Sequence, residues 1–283
     1  MSKQKEFHRP DNWSKAHQLL KRSDVQTIPL TLGPRPTALH EISAEAIVDL
    51  EKLNLNYIKL EDDGYVHIGA LTTLQDLYLS DLIISQANGL LSEAAYYSAT
   101  LGLRNLASLA GAITNPENPP DIALALMALD AIVTVQENEK ETREVTIHDW
   151  MKDCSDVLLP GEVIQQVRFS AQPTSLAALV RINRTPRDKA IVAAAAVLQI
   201  ENNTCVKAII ALAGANPTPV RLEEAEALLI GKSLSEGLFN EIANLAENQA
   251  QPIENYLGSA SYRKAMAGVL TKRVLTQALK GKI

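Results

Sequence analysis

Residues 106–121 read LASLAGAITNPENPPD, and the apolar run IALALMALDA follows at once. This stretch constrains the fold more than any other. Ala107, Ala110, Gly111 and Ala112 present almost no side chain, so whatever lies against them comes close to the backbone. Pro116, Pro119 and Pro120 then brake the chain before the next element. Two readings follow. In one, the small residues admit a ligand, whose phosphate or flat ring approaches amides freed from secondary structure, with Asp121 as an acceptor. In the other, they let a helix and a strand pack closely, and Asp121 caps the helix IALALMALDA.

The rest of the chain reads as mixed segments followed by a block of strands and then helices, an α+β arrangement. With 283 residues the prior is two or three compact units. PDNWSKAHQLLKR at 10–22 predicts a helix started by Pro10 or Asp11, with Trp13, Ala16, Leu19 and Leu20 on one face. Residues 25–36 predict a strand and then a proline-rich loop. Residues 56–71 predict two strands turning at Asp62, Asp63 and Gly64, with helices through about residue 100. A hairpin with a charged tip is expected over 131–147, and a strand over 161–170. The composition shifts near AQPTS at 171–175. Three strand-like runs follow, LAALVRI, AIVAAAAVLQI and VKAIIALAGA, and after them helices. The last helix is expected to bury a stripe of Tyr262, Ala265, Met266, Val269 and Leu270.

Several functions are disfavoured by what the residues lack. A net charge of −6 gives no footprint for nucleic acid or anionic lipid. Cys154 and Cys205 form no disulfide framework and no cluster ligand set, so the chain cannot itself hold an iron–sulfur cluster. His8, His17, His40, His67 and His148 are scattered, with no metal-ligand spacing, so no metal site is expected. No nucleophile elbow is present. The N-terminus MSKQKEFHRPDNW has no apolar signal core, and AIVAAAAVL is about half the length of a membrane span. A soluble cytoplasmic protein without membrane insertion is the expectation.

The order of motifs resembles the FAD-binding medium subunits of the molybdenum hydroxylases, the family of carbon monoxide dehydrogenase flavoproteins and xanthine dehydrogenase middle segments. FHRPDNWSKAHQLL, YVHIGALTTLQDL, LRNLASLAGAITNPENPPDIALALMALDA, IHDWMKDCSDVLLPGEVIQQVRF, RTPRDKAIVAAAAVLQI and SASYRKAMAGVLTKRVL carry the resemblance over nearly the whole chain. It implies an FAD-binding domain of two α/β subdomains, of the vanillyl-alcohol-oxidase-like kind, at 1–60 and 61–172. A C-terminal α+β domain with a three-stranded antiparallel sheet is implied at 173–283. It also implies an oxidoreductase component that is not self-sufficient. Electrons would pass from iron–sulfur clusters on a small partner subunit through FAD to an external acceptor. A large molybdopterin subunit would complete a dimer of heterotrimers.

On the resemblance, the second flavin loop falls on Ser108, Leu109, Ala110, Gly111 and Ala112, where relatives carry Thr-Ile-Gly-Gly-Asn. Asp121 matches a flavin-contacting aspartate, and Ile164 an apolar position near the adenine or flavin. A lysine of the third domain matches Val180, with Arg181 beside it. The first loop, Ala-Gly-Gly-Thr-Asp-Leu in relatives, falls on Pro29, Leu30, Thr31, Leu32, Gly33 and Pro34, without the double glycine. Two functions therefore stay open: a working flavoprotein subunit with weakened FAD binding, or a flavin-poor or flavin-free subunit that keeps the fold and scaffolds the complex.

Overall fold

The computed structural model describes residues 6–31, 44–114, 120–152, 158–185 and 188–281. Three sheets organise them. The first is small and parallel: β1 (Glu6–His8) and β2 (Thr27–Pro29) flank β3 (Ala46–Val48). Helix α1 (Trp13–Leu20) connects β1 to β2. Its cap is Asn12, whose side chain accepts from the Lys15 amide, rather than Pro10 or Asp11; Asp11 instead pairs with the Lys15 ammonium. Ala16 and Leu20 are buried in a small core with Val48, Leu50, Leu55 and Val163.

The second sheet is antiparallel, in the order β4 (Ile58–Leu60), β5 (Tyr65–Gly69), β8 (Val163–Ser170), β6 (Ile132–Gln136), β7 (Thr142–Thr146). Between β5 and β6 the described residues form six α-helices: α2 (Leu74–Leu79), α3 (Asp81–Ile84), α4 (Leu90–Ser98), α5 (Leu101–Arg104), α6 (Leu109–Thr114) and α7 (Pro120–Ala128). Helix α8 (Ile147–Lys152) follows β7. The third sheet is also antiparallel. Its long strands β9 (Leu176–Ile182), β10 (Val192–Glu201) and β11 (Thr204–Ala213) are extended at the β11 edge by a two-residue β12 (Val220–Arg221). Helices α9 (Glu223–Leu229), α10 (Glu236–Gln249) and α11 (Ala260–Lys280) cover one face.

Strand periodicity explains how the third sheet is used. Ala178, Val180, Ala194, Ala196, Ile210 and Leu212 face the α9–α11 layer. The alternate positions Ala177, Leu179, Ala193, Ala195, Ala211 and Ala213 belong to the core of the second unit. This second face is nearly all alanine, which lets α7 lie directly on β10 and β11. Helix α7 also packs against α4, and Ile122 through Ala128 are all buried. A helix apolar all round is a helix enclosed on all sides. The alanine runs of the sequence thus make room for a helix.

The last helix buries Leu270 as expected and half-buries Ala265 and Met266, but its inward stripe is turned from the expected one. Arg263, Ala267, Leu270, Val274, Leu275 and Ala278 face inward, whereas Tyr262 and Val269 are exposed. Arg263 is the reason. Its guanidinium donates to the carbonyls of Ile191 (2.7 Å) and Gly214 (3.0 Å) and to Asn255 Oδ1 (2.6 Å), which rotates the helix toward them. Among the described residues no helix is long and apolar enough to cross a membrane.

Candidate functional site

Three stretches far apart in sequence meet at a cleft of about 250 Å³ between the first and second sheets. The end of β2 supplies Ile28, Pro29 and, just past it, Thr31; α6 supplies Ala110 and Thr114; β8 supplies Val163 and Ile164. Leu50, Leu55 and Leu71 complete the apolar walls. Thr31, Ala110 and Ile164, singled out from the sequence, therefore share one slot. Leu30 does not line it: its amide donates to the Val48 carbonyl (2.8 Å) and continues the first sheet. Leu32 and Gly33 lie outside the described residues.

The second loop is the start of α6. Ser108 is buried, and its hydroxyl oxygen accepts from the Gly111 amide at 3.1 Å. Its carbonyl accepts from the Ala112 amide at 3.0 Å. The Leu109 and Ala110 amides donate to the carbonyls of Thr72 and Ala70, each at 2.9 Å. Four successive amides thus have protein acceptors, which favours the close-packing reading of this stretch over the one in which these amides face ligand phosphates. The small side chains here serve a close backbone-to-backbone docking of α6 on residues 70–73. The far end of α6 is held as well, because the buried Trp150 indole donates to the Ile113 carbonyl at 2.9 Å. Ala110 sits within the helix and is not among the residues with positive φ, so its Cβ brings no backbone strain.

Asp121 is not the cap of α7 but its second residue, inside the first turn and fully buried. A carboxylate there gains from the helix dipole, and a countercharge lies beside it. Arg181 of β9 places Nη2 3.2 Å from Asp121 Oδ2. The same nitrogen donates to the Asp188 carbonyl at 2.8 Å, and the guanidinium carbon stands 4.9 Å from the centre of the Tyr97 ring. Val180, the position matched to a lysine in relatives, points the other way, into the α9–α11 core. Strand alternation puts Arg181 rather than Val180 beside Asp121, and neither Asp121 nor Arg181 lines the cleft.

Comparison with known proteins gives this geometry its context. The profile of the FAD binding domain in molybdopterin dehydrogenase matches residues 3–172, and that of the CO dehydrogenase flavoprotein C-terminal domain matches residues 177–278. The chain belongs to this flavoprotein family. It is 28% identical to the carbon monoxide dehydrogenase medium chain of Afipia carboxidovorans, over 96% of each chain. It is 32% identical to the 6-hydroxypseudooxynicotine dehydrogenase complex subunit alpha of Paenarthrobacter nicotinovorans, over 77% of this chain and 74% of that one. Among solved structures, it superposes on carbon monoxide dehydrogenase of Hydrogenophaga pseudoflava with a TM-score of 0.87, covering 99% of each chain at 28% identity.

For a member of this flavoprotein family the cleft must satisfy two demands of FAD: flat apolar walls for a ring, and donors for the diphosphate. The first is met. Ala110 contributes only a methyl group to a lining it shares with Ile28 and Pro29, and a longer side chain there would narrow the slot. The second is not met by the α6 amides. The cleft's lining fits a ring of the cofactor, whereas the four amides at the start of α6 already have acceptors within the protein.

Sequence reading missed one cluster. The β4–β5 hairpin brings ligand atoms of Glu61, Asp63 and His67 within 4.8 Å of one another. The Asp-x3-His spacing around a tight turn was the available signal. The groups satisfy each other: His67 Nε2 bonds Asp63 (3.0 Å), its Nδ1 bonds Gln166 (3.1 Å), and Lys59 pairs with Glu61. The Tyr65 amide, and after it His67, hold the Asp63 carboxyl below its usual range.

Proposed function

We propose that this chain is the FAD-carrying subunit of a molybdopterin-dependent hydroxylase or dehydrogenase. It takes electrons from iron–sulfur clusters on a small partner subunit and passes them through FAD to an external acceptor. A large molybdopterin subunit hydroxylates the substrate, and the assembly is a cytoplasmic dimer of heterotrimers. The observation that carries this reading is the convergence of Thr31, Ala110 and Ile164 on one apolar slot.

Bound FAD supplies the redox chemistry, as in other flavoproteins. The chain's own residues bind and orient it. Thr31 closes the slot from the first sheet, Ala110 leaves the width of a ring, Ile164 packs on it from β8, and Asp121 presents a buried negative charge at the head of α7. In this reading residues 1–60 and 61–172 form the two halves of the cofactor domain, and residues 173–283 the C-terminal domain. A scan for the oxidised-flavin absorbance band after desalting tests the cofactor, and gel filtration from the native source tests the partners. Yellow protein co-eluting with two further subunits is expected. A colourless chain that gains no flavin on incubation, running alone at 30.8 kDa, would refute the proposal.

One observation favours a second reading, in which the subunit holds little or no flavin and scaffolds the complex. The four amides at the start of α6 are all engaged within the protein. Full assembly with its partners, with no flavin at any stage, is the result that this reading requires.

A further inference from the structure

Helix α6 is only six residues long, yet it supplies two residues of the cleft, Ala110 and Thr114, which stand about one turn apart on the same face. The place of α6 therefore sets the width of the slot. Its start is joined to residues 70–72 by the Leu109 and Ala110 amides, and Ala70 and Leu71 line the cleft themselves. Its end is held differently. The last four carbonyls of an α-helix have no partner within it. In α6 one of these, the Ile113 carbonyl, receives the indole N–H of Trp150 at 2.9 Å. Trp150 has no exposed surface and does not line the cleft. An indole at that depth needs an acceptor for its N–H, and the acceptor is the residue next to Thr114. The donor is itself fixed. The Ile147 amide bonds the Ala131 carbonyl at 2.8 Å, just before β6, and the Thr146 hydroxyl oxygen accepts from the Asp149 amide at 3.1 Å. Helix α8 also packs on α7 and β6. A phenyl ring at position 150 would fill much of the same space; what the indole adds is the hydrogen bond to α6.

We propose that Trp150 is a positioning residue of the cofactor site. It holds the end of α6 from the core side, so that Ala110 and Thr114 stand at ring width before the cofactor arrives. This rests on the reading above, in which the slot takes a ring of FAD. Trp150 acts through α6 alone. Without the indole N–H the buried Ile113 carbonyl loses that donor, and the end of α6 is drawn toward whatever other donor it can reach. Only the molecules with α6 in place then bind the ring, and the apparent Kd rises by the inverse of their fraction.

The test uses the full-length chain, with FAD titrated by fluorescence well below the melting temperature. Two replacements remove the donor. Trp150→Phe removes the N–H together with part of the ring. The ring analogue benzothienylalanine, placed at position 150 by codon suppression, keeps the bicyclic shape and puts sulfur where the N–H was. Both are expected to weaken FAD binding by about tenfold, which corresponds to α6 standing in place in about one molecule in ten. Phe239→Leu is the control. Phe239 is buried in the α9–α11 core and does not line the cleft, so this variant should lower the melting temperature and leave the Kd unchanged. If Trp150→Phe does not fold, the ring analogue carries the comparison. A lowered melting temperature with unchanged affinity in both replacements of Trp150, or an equal loss of affinity in Phe239→Leu, overturns the inference. Wild-type protein that binds FAD no better than both replacements overturns this inference alone. Wild-type protein that binds no FAD overturns it together with the proposed function.

Discussion

Replacing Ala110 by leucine separates a cofactor slot from a mere packing gap. Ala110 is 2% exposed, lies in α6 where leucine is a good helix former, and lines the cleft together with Ile164 and Leu71. Leucine adds three carbons to a space of about 250 Å³. Their burial is worth up to about 2.4 kcal/mol at about 0.8 kcal/mol per carbon, set against an overpacking cost of about 1–3 kcal/mol. The melting temperature without cofactor should therefore hold or change by only a few degrees. FAD binding should behave differently. Excluding a ring that buries about 150 Å² forfeits about 4 kcal/mol at about 25 cal/mol per Å², or roughly a thousandfold in Kd. Fluorescence titration and thermal melting on the same samples read the two quantities together. Preserved stability with lost affinity is the expected signature. Unchanged affinity would show that no part of FAD uses this slot, and parallel losses of both would show that the substitution only damages the fold.

Two further outcomes follow from the neighbourhood of the site. Trp150→Phe strands the buried Ile113 carbonyl that now receives the indole N–H; the cost should be about 1–3 kcal/mol, seen as a fall of several degrees in melting temperature, and an unchanged melt would mean that the carbonyl finds another donor. His17 stacks on Trp13 and bonds the Gly161 carbonyl, tying α1 to the second unit, and burial holds its imidazole below the usual histidine range, against the opposing pull of the Gly161 bond. A histidine depressed in the folded state contributes stability that is present above its unfolded pKa and is lost as pH falls through its folded pKa. Denaturant midpoints should therefore decline from about pH 7 toward pH 5, with a shallower decline in His17→Gln, and equal slopes in the two proteins would remove His17 as the cause.

Elements with a local cause were legible from residues alone. The Asp62–Gly64 turn between β4 and β5 is legible because Gly64 takes φ +79° and Asp63 accepts from the Tyr65 amide. The apolar run after Asp121 forms α7, and the three long C-terminal strands fall in the runs LAALVRI, AIVAAAAVLQI and VKAIIALAGA. What could not be read depends on partners distant in sequence. The amides of residues 109 and 110 are consumed by carbonyls near residue 70, and nothing in SLAGA announces those acceptors. The inward stripe of α11 follows Arg263, a residue that hydropathy assigns to solvent, because two carbonyls and an amide side chain outweigh its charge. The short β12 has too few residues to leave a pattern.

The choice between Val180 and Arg181 shows where such reading runs out. Alternation along β9 divides Ala177, Leu179 and Arg181 from Ala178, Val180 and Ile182, and that division is visible in the sequence. Which set faces α7 is not visible. It is decided by the register that puts Arg181 opposite Ala193 and Val180 opposite Ala194, and by the helices that cover the second set. A shift of one residue would send valine to Asp121 and the guanidinium toward the α9–α11 helices, separating the two charges. The ion pair therefore does more than fill the site. It penalises the wrong register of β9, so the contact between Arg181 and Asp121 also helps to specify how the third sheet meets α7.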